Sequence, residues 1–502
     1  MEAFSLLLLN PFFVIAAIAA ILYLYLKYQH TYWKRRGIPS VSGHWFFGNM
    51  KDGILMRRSP AIVMGDLYRQ ASENDDVLGI YVLHKPFLLL RSPELIKQIL
   101  VKDFQYFSDR YFTAKSFHDE IGNSSLFAIK NPQWKYLRTK LTPVFTSGKM
   151  KNLFPLITEA AESMKNYLQG EFSNNESTRT IMVKNVMSKY ATDIISSVAF
   201  GIHVNSFDTS QGTFYQKAQD ALKITFRRAV QFYCMFFFPT MAPILGGQIL
   251  GSATNYFRSI FWDSMDSRER TKSKRADLID SLVMLKNEKQ DNDFKFEGDH
   301  LVGQSAIFFV AGRETNVTTI CFTLAELAKN PDIQNKVRED ILEKLETHGL
   351  TYEGVRNMKY LNQVISEVLR LYPSAPLLDR VATVDYKVPG TDMVIEKGTP
   401  IYVILTGIQR DPKYFPDPLR FDPDRFSDEN KDKITAGTYM PFGEGPRACI
   451  GARLGMLQST VGIITILKDY EVSLDPTYKV DVDPRNVFLS PPEGFKLRFT
   501  KL

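Results

Sequence analysis

Pro441-Phe442-Gly443-Glu444-Gly445-Pro446-Arg447-Ala448-Cys449-Ile450-Gly451 runs directly into an apolar, proline-free stretch, Ala452 to Leu467, with the spacing of a helix. A helix N-terminus just after Cys449 offers free backbone N–H groups and the positive end of the macrodipole, which favour a thiolate. Arg447 adds a positive charge two residues away. Gly445 and Gly451 let the backbone come close to a flat ligand or to its own turns. Most free cysteines are small buried hydrophobes, and that reading suits Cys234 and Cys321. It does not suit Cys449, because a core cysteine has no need of a glycine-rich, arginine-bearing loop ahead of a helix.

Phe442, Gly445, Arg447, Cys449 and Gly451 match every fixed position of Phe-x-x-Gly-x-Arg-x-Cys-x-Gly. The stretch therefore resembles the haem-binding loop of the cytochrome P450 superfamily. The resemblance extends over essentially the whole chain. The wording Gly-Pro-Arg-x-Cys-Ile-Gly, followed by Arg453 and Gln458, is similar to the microsomal branch, most of all to insect members that oxidise foreign compounds. It implies a mainly α fold with smaller β-sheets (α+β) and one haem domain behind an N-terminal transmembrane helix. It also implies haem b, with Cys449 as the proximal iron ligand whose thiolate favours O–O cleavage.

Composition agrees with a large folded body. The chain has 502 residues, 44% hydrophobic and 23% charged, which rules out intrinsic disorder and a small disulfide-stapled scaffold. Three cysteines are too few and too odd in number for a disulfide framework. The length allows about three domains, yet no linker separates them. The 62 bases and 55 acids are mixed along the chain, with no basic stripe of the kind that binds nucleic acid.

Ala3 to Leu26 is almost wholly apolar, interrupted by Ser5, Asn10 and Pro11. As a helix it would be about 36 Å long, enough for a hydrocarbon core of roughly 30 Å. Lys27, Lys34, Arg35 and Arg36 follow it and only Glu2 precedes it, so the positive-inside rule puts the rest of the chain in the cytosol. The sequons at Asn123, Asn175 and Asn316 are then expected to stay bare. The expected organisation is a signal-anchor over 3–26, a basic, proline-containing link over 27–40 and the catalytic domain over 41–502. A second apolar stretch, Phe232 to Leu250, is broken by Pro239, Pro243, Gly246 and Gly247. It reads either as a core segment or as a loop dipping into the bilayer surface.

Helical patterns dominate from Pro93 to about Tyr372, and the longest is Asp299 to Lys329, which ends before Pro331. So apolar a helix must run through the centre of the molecule. Strand signals are confined to Val77–Leu90 around a His84-Lys85-Pro86 turn, to Val384–Leu405, and to the end of the chain from Glu471. Gln409 to Met440 has no period, and so long an irregular segment needs specific anchors.

Ala311-Gly312-Arg313-Glu314-Thr315 lies inside the long apolar helix. A buried Glu314 needs a partner, and Thr315 can bond a carbonyl one turn back. The resemblance instead implies that Glu314 and Thr315 deliver protons above the haem through a local opening of the helix. Arg313 departs from the small or apolar residue common at that position, and a second buried charge there would pair with Glu314 or another acid. Glu367 and Arg370 share a helix face. By resemblance they form a buried structural network with Arg425 of Pro423-Asp424-Arg425-Phe426, pinning the irregular segment. Trp134 and Arg138, one helical turn apart, are implied to bind haem propionates together with Arg110, Arg380 and Arg447, since the guanidinium fork matches a carboxylate. The implied substrate pocket contains Phe112, Phe117, Phe127, Phe308, Ala311, Leu377 and Phe488; plain core packing is an equal reading of these aromatics.

The implied activity is insertion of one atom of O2 into lipophilic substrates, foreign compounds or hormones. The chain has no dinucleotide fingerprint, so electrons would come from NADPH through cytochrome P450 reductase, with cytochrome b5 as a further donor. The implied location is the cytosolic face of the endoplasmic reticulum membrane. Lys135, Lys140 and Arg453 are candidates for the docking face. Three other classes stay open: a haem-thiolate isomerase or dehydratase working without a reductase, a haem sensor or carrier, and a tethered helical interaction protein. The acid–alcohol pair weighs against the first two.

Overall fold

In the computed structural model, which describes residues 11–172, 176–208, 212–245, 247–275, 277–288 and 295–502, Pro11–Gln29 forms a 19-residue helix. It exposes Phe12, Ile15, Ile18 and Leu24. Among the described residues it is the one helix long and apolar enough to cross a membrane. The Ala3–Asn10 part of the expected segment lies outside the described residues, as does the Asn175 sequon. The link that follows is docked on the body. Leu26 and Trp33 are buried, Trp33 Nε1 donates to the Ile80 carbonyl at 3.1 Å, and His30 Nε2 lies 2.8 Å from the Leu83 carbonyl oxygen.

The central helix runs unbroken from Asp299 to Lys329, because nothing in those 31 residues interrupts its hydrogen-bond ladder. From Asn316 to Ala328 every residue is buried, as expected of a helix apolar on most faces. It crosses the helix Val183–Phe200 closely enough that a Cβ on Gly312 would stand 2.6 Å from Ile195 Cδ1. Glycine costs helix propensity here but permits the crossing. The helix Ala452–Leu467 has the bounds its spacing predicts, and it is buried from Leu457 to Leu467.

Four strands form the larger sheet. Val77–Val82 pairs antiparallel with Lys85–Leu90, which pairs parallel with Pro400–Ile404, which pairs antiparallel with Leu377–Val381. The first turn falls at Leu83-His84, not His84-Lys85-Pro86, and Pro86 sits in the strand opposite Tyr81. That end of the strand has no partner on its other edge, since pairing with Pro400–Ile404 begins at Leu88, so the missing N–H of proline costs nothing. Thr178–Ile181, Leu497–Lys501 and Tyr470–Leu474 form a second sheet. Leu377–Val381 escaped the sequence reading because two of its five residues, Asp379 and Arg380, are charged.

The Phe232–Leu250 stretch is part helix and part irregular chain, and Ala242, Ile249 and Leu250 in its irregular part are buried. Tyr233 to Phe237 are buried at the end of the helix Phe226–Phe237, whereas Met241 and Ile244 are exposed beyond it; Gly246 lies outside the described residues. The irregular Gln409–Met440 segment is tied at both ends by one side chain. Gln409 Nε2 donates to the Leu369 and Arg370 carbonyls at 3.1 and 3.0 Å, and its Oε1 accepts the Met440 N–H at 3.1 Å.

Candidate active site

One cavity of about 330 Å³ gathers most of the chemistry-bearing residues. The central helix contributes Phe308, Ala311, Glu314 and Thr315 to its wall, and the cysteine loop contributes Phe442, Arg447 and Cys449. Arg110, Phe112, Phe127, Trp134 and Arg138 come from the segment before and within the helix Gln133–Leu141, Arg380 from the sheet, and Phe488 from near the C-terminus. Gly445 stands behind the wall. Its φ is +72°, and a Cβ there would meet the Leu100 carbonyl oxygen at 2.0 Å, so any side chain would push the loop off its support.

The loop closes on itself through the Cys449 N–H, which donates to the Phe442 carbonyl at 2.7 Å. The Cys449 side chain is exposed to the cavity while protein surrounds it. Burial pushes the thiol above its ordinary range; the Gly451 N–H and the charges of Arg138 and Arg110 pull the other way. A metal cation bound to the sulfur would act in the same direction as those charges and favour the thiolate. Arg447 turns away from the sulfur. Its Nε donates to the Ser108 carbonyl at 2.7 Å, its Nη2 to the Ile129 carbonyl at 3.0 Å, and its guanidinium lies over Trp134 at 4.4 Å.

Arg110, Arg138, Arg380 and Arg447 all line this cavity, and two carboxylates offset them only in part: Asp379, and Asp109, whose Oδ1 lies 3.8 Å from Arg447 Nη2. Asp379, fully buried, accepts from Arg110 Nη1 at 2.7 Å and from the Phe112 N–H at 2.9 Å. Arg110 Nε and Arg380 Nε are buried without a hydrogen-bond partner. Burial, with Arg110 and Arg380 alongside, pulls Arg447 down to about 8, and burial and Arg110 pull Arg380 down to about 9. A guanidinium keeps its proton inside a protein, so the cluster holds a standing excess of positive charge. Carboxylates on a cavity ligand would balance it and take up the orphaned donors. The set fits a flat, anionic ligand that carries a metal for Cys449.

On the central helix, Thr315 Oγ1 donates to the Ala311 carbonyl at 2.7 Å, the bond one turn back that a helical threonine favours. The Ser374 hydroxyl donates to the Thr315 carbonyl at 3.2 Å. Glu314 reaches the cavity and is ion-paired with Arg313. The local opening expected at Gly312 and Thr315 is not present, since the helix is continuous and Gly312 serves the close crossing instead.

Two expected pocket residues lie elsewhere. Phe117 is 76% exposed and does not line the cavity; it sits in a loop of mostly polar residues, Lys115 to Glu120. Leu377 is buried in an apolar cluster under the sheet, because strand alternation points it opposite to Leu378, which does line the cavity. The sequence reading missed Phe236, whose ring lies 4.7 Å from that of Phe112 and 5.5 Å from that of Phe488. It also missed the counter-ion role of Asp379; an acid directly followed by an arginine inside an otherwise apolar run was the available signal. Of the docking candidates, Lys135 and Arg453 are exposed and Lys140 is paired with Glu288. Phe127→Ala is expected to weaken binding of uncharged aromatic probes by about 1 kcal/mol, roughly fivefold. Phe117→Ala should leave it unchanged, as read by spectral titration.

The family model for cytochrome P450 matches residues 38–499. Cytochrome P450 6k1 of Blattella germanica is 40% identical over 511 residues, covering 97% of this chain and 96% of that protein. Probable cytochrome P450 6g2 of Drosophila melanogaster is 36% identical, covering 97% of this chain and 98% of its own length. Cytochrome P450 6j1 of Blattella germanica is 35% identical, covering 100% and 99%.

Proposed function

Because the chain belongs to the cytochrome P450 family and is a haem monooxygenase, we propose that Cys449 is the thiolate ligand of haem b. In that reading Arg110, Arg138, Arg380 and Arg447, with Trp134, hold the haem's carboxylates. The observation that supports it is the single cavity shared by a thiol, unbalanced guanidiniums and an acid–alcohol pair. When bound, the iron–thiolate centre supplies oxygen activation. The protein's own part is to fix the ligand, exclude water and supply protons. The Cys449 loop, tied to Phe442 and backed against Leu100, presents the sulfur to the cavity. Phe442 and Gly445 shape that loop and would help it hold the haem. Thr315 and Glu314 present a hydroxyl and a carboxylate that can hold a water and pass its proton.

The aromatic wall of Phe127, Phe112, Phe236 and Phe488, each ring in edge or tilted contact with the next, suits lipophilic and mostly uncharged substrates. Phe308 and Ala311 would complete it beside the acid–alcohol pair. We assign these substrates to foreign compounds or hormones, with foreign compounds favoured. Electrons come from NADPH through cytochrome P450 reductase, with cytochrome b5 as a second donor. The chain is divided into an anchor (3–26), a link (27–40) and a catalytic domain (41–502), on the cytosolic face of the endoplasmic reticulum membrane.

The test is the reduced, carbon-monoxide-bound difference spectrum, then NADPH-driven turnover with reductase across a panel of lipophilic compounds. A protein without the thiolate-type band, or active on peroxides without NADPH, would refute the reading. Within the same assay, Thr315→Ala is expected to keep consuming NADPH while product falls by about 100-fold or more and hydrogen peroxide rises, the loss of a positioned proton donor being worth roughly 10²- to 10⁴-fold. Unchanged product formation would remove Thr315 from proton supply.

A further inference from the structure

Arg313 is 1% exposed, among the largest fully buried side chains of the molecule. A charge so placed needs partners, and each of its three guanidinium nitrogens has one, on three different elements. Nη1 is paired with Glu314 on the central helix itself. Nε donates to Thr192 Oγ1 at 2.8 Å, on the helix Val183–Phe200, and Nη2 donates to Gln219 Oε1 at 2.9 Å, on the helix Thr213–Leu222. Gln219 Nε2 in turn donates to the Tyr215 hydroxyl at 2.7 Å, on the same helix. Glu314 is the anion in this set, and it is also the carboxylate that reaches the cavity. Leu222, one helical turn after Gln219 and on the same face, lines that cavity as well.

We infer that Arg313 is a positioning residue, which holds the Glu314 carboxylate in place and, through Gln219, ties it to the helix that carries the Leu222 part of the cavity wall. The inference rests on the proposed role of Glu314 in proton supply. A free carboxylate at the cavity edge has several rotamers; one gripped by a guanidinium that is itself fixed at two further points has few. A substrate pressing on Leu222 shifts the helix that bears Gln219, so occupancy of the cavity reaches the carboxylate through one side chain. The coupling is mechanical and requires no transfer of a proton by arginine.

The test is a double-mutant cycle on the full-length haem-loaded protein: Arg313→Met, Glu314→Gln and both together, with Arg313→Lys as the conservative variant. Two readouts are taken. The first is the thermal unfolding midpoint and haem content. Glu314→Gln should lower the midpoint by leaving a buried unpaired guanidinium, and adding Arg313→Met should recover much of the loss. The second is the share of NADPH electrons released as hydrogen peroxide with reductase, with and without 7-ethoxycoumarin as probe. Arg313→Met should raise that share several-fold at unchanged haem content, Arg313→Lys should restore it, and Arg313→Met should add nothing in the Glu314→Gln background. Additive effects in both readouts, or a wild-type peroxide share in Arg313→Met, would overturn the inference. Should Arg313→Met fail to fold, Gln219→Leu cuts the link to the helix Thr213–Leu222, together with the Gln219–Tyr215 bond within that helix, and leaves the Arg313–Glu314 pair in place; it should raise the peroxide share in the same direction by less, and a wild-type value would sink the link. Absence of the thiolate-type band in the unmutated protein would refute the proposed function instead, and the midpoint coupling between Arg313 and Glu314 would still be readable.

Discussion

Cys449→Ser is expected to yield a protein that folds and inserts in membranes yet has no thiolate-type carbon monoxide band and no reductase-driven turnover. The substitution exchanges one atom, so the steric terms stay put. The backbone N–H of residue 449 still reaches the Phe442 carbonyl, and Gly445 still lies against Leu100. What changes is ligand chemistry. A serine hydroxyl is a hard donor that gives up its proton far less readily than a thiol, and it cannot push electron density onto iron as sulfur does. The guanidinium cluster remains, so some porphyrin is expected to be retained through its carboxylates, with an altered Soret spectrum. Cys234→Ala and Cys321→Ala are the controls. Both thiols are buried outside this cavity, and burial pushes both up and away from reactivity. Each control should cost some stability and leave the band in place. If Cys449→Ser keeps the wild-type band and turnover, the sulfur is not the ligand.

The sequence carried this site unevenly, for physical reasons. Loop and helix around Cys449 were legible because their residues answer local constraints: a positive φ at Gly445 and an apolar, proline-free run from Ala452, although the Leu100 carbonyl against which Gly445 lies could not be read from sequence. The central helix was legible to the residue, since no proline occurs between Asp299 and Lys329 and the polar run Arg313 to Asn316 is flanked by long apolar stretches. Phe117 and Phe127 could not be told apart from sequence. Both are aromatics in an irregular segment, and only tertiary contact decides that one meets Phe112 at 5.0 Å while the other faces outward. Leu377–Val381 was hidden because Asp379 and Arg380 look like loop residues until Arg110 and the Phe112 N–H arrive from a segment some 270 positions earlier to satisfy Asp379 (separations of 269 and 267). Arg313 was visible as an anomaly, but its partners Thr192 and Gln219 lie on helices distant in sequence.

Glu367→Ala is expected to cost about 3–5 kcal/mol, the range for leaving a buried ion without its partner, against a total stability of roughly 5–15 kcal/mol. Neither Glu367 nor Arg370 is exposed at all. Both carboxylate oxygens accept from Arg370, through Nε and Nη2 at 2.7 Å each, and one of them also accepts the Asp422 N–H at 2.9 Å. Arg425 Nε adds a longer contact at 3.6 Å. The same Arg370 guanidinium donates to the carbonyls of Gln409 and Pro418 at 2.8 Å and of Arg420 at 3.3 Å. It thus holds an aperiodic segment that has no ladder of its own, and that segment runs directly into the cysteine loop at Pro441. Loss of Glu367 therefore frees the segment as well as stranding a charge, and the haem content of the purified variant should fall with its unfolding midpoint. An apolar pair, Glu367→Leu with Arg370→Leu, removes the stranded charge but leaves three carbonyls without a donor, so it should recover only part of the loss. Arg425→Ala, which removes the outermost and weakest contact, should cost far less than Glu367→Ala. That ordering distinguishes a network centred on the Glu367–Arg370 pair from three equal contributors. A Glu367→Ala protein with wild-type midpoint and full haem content would show that the segment is held by other contacts.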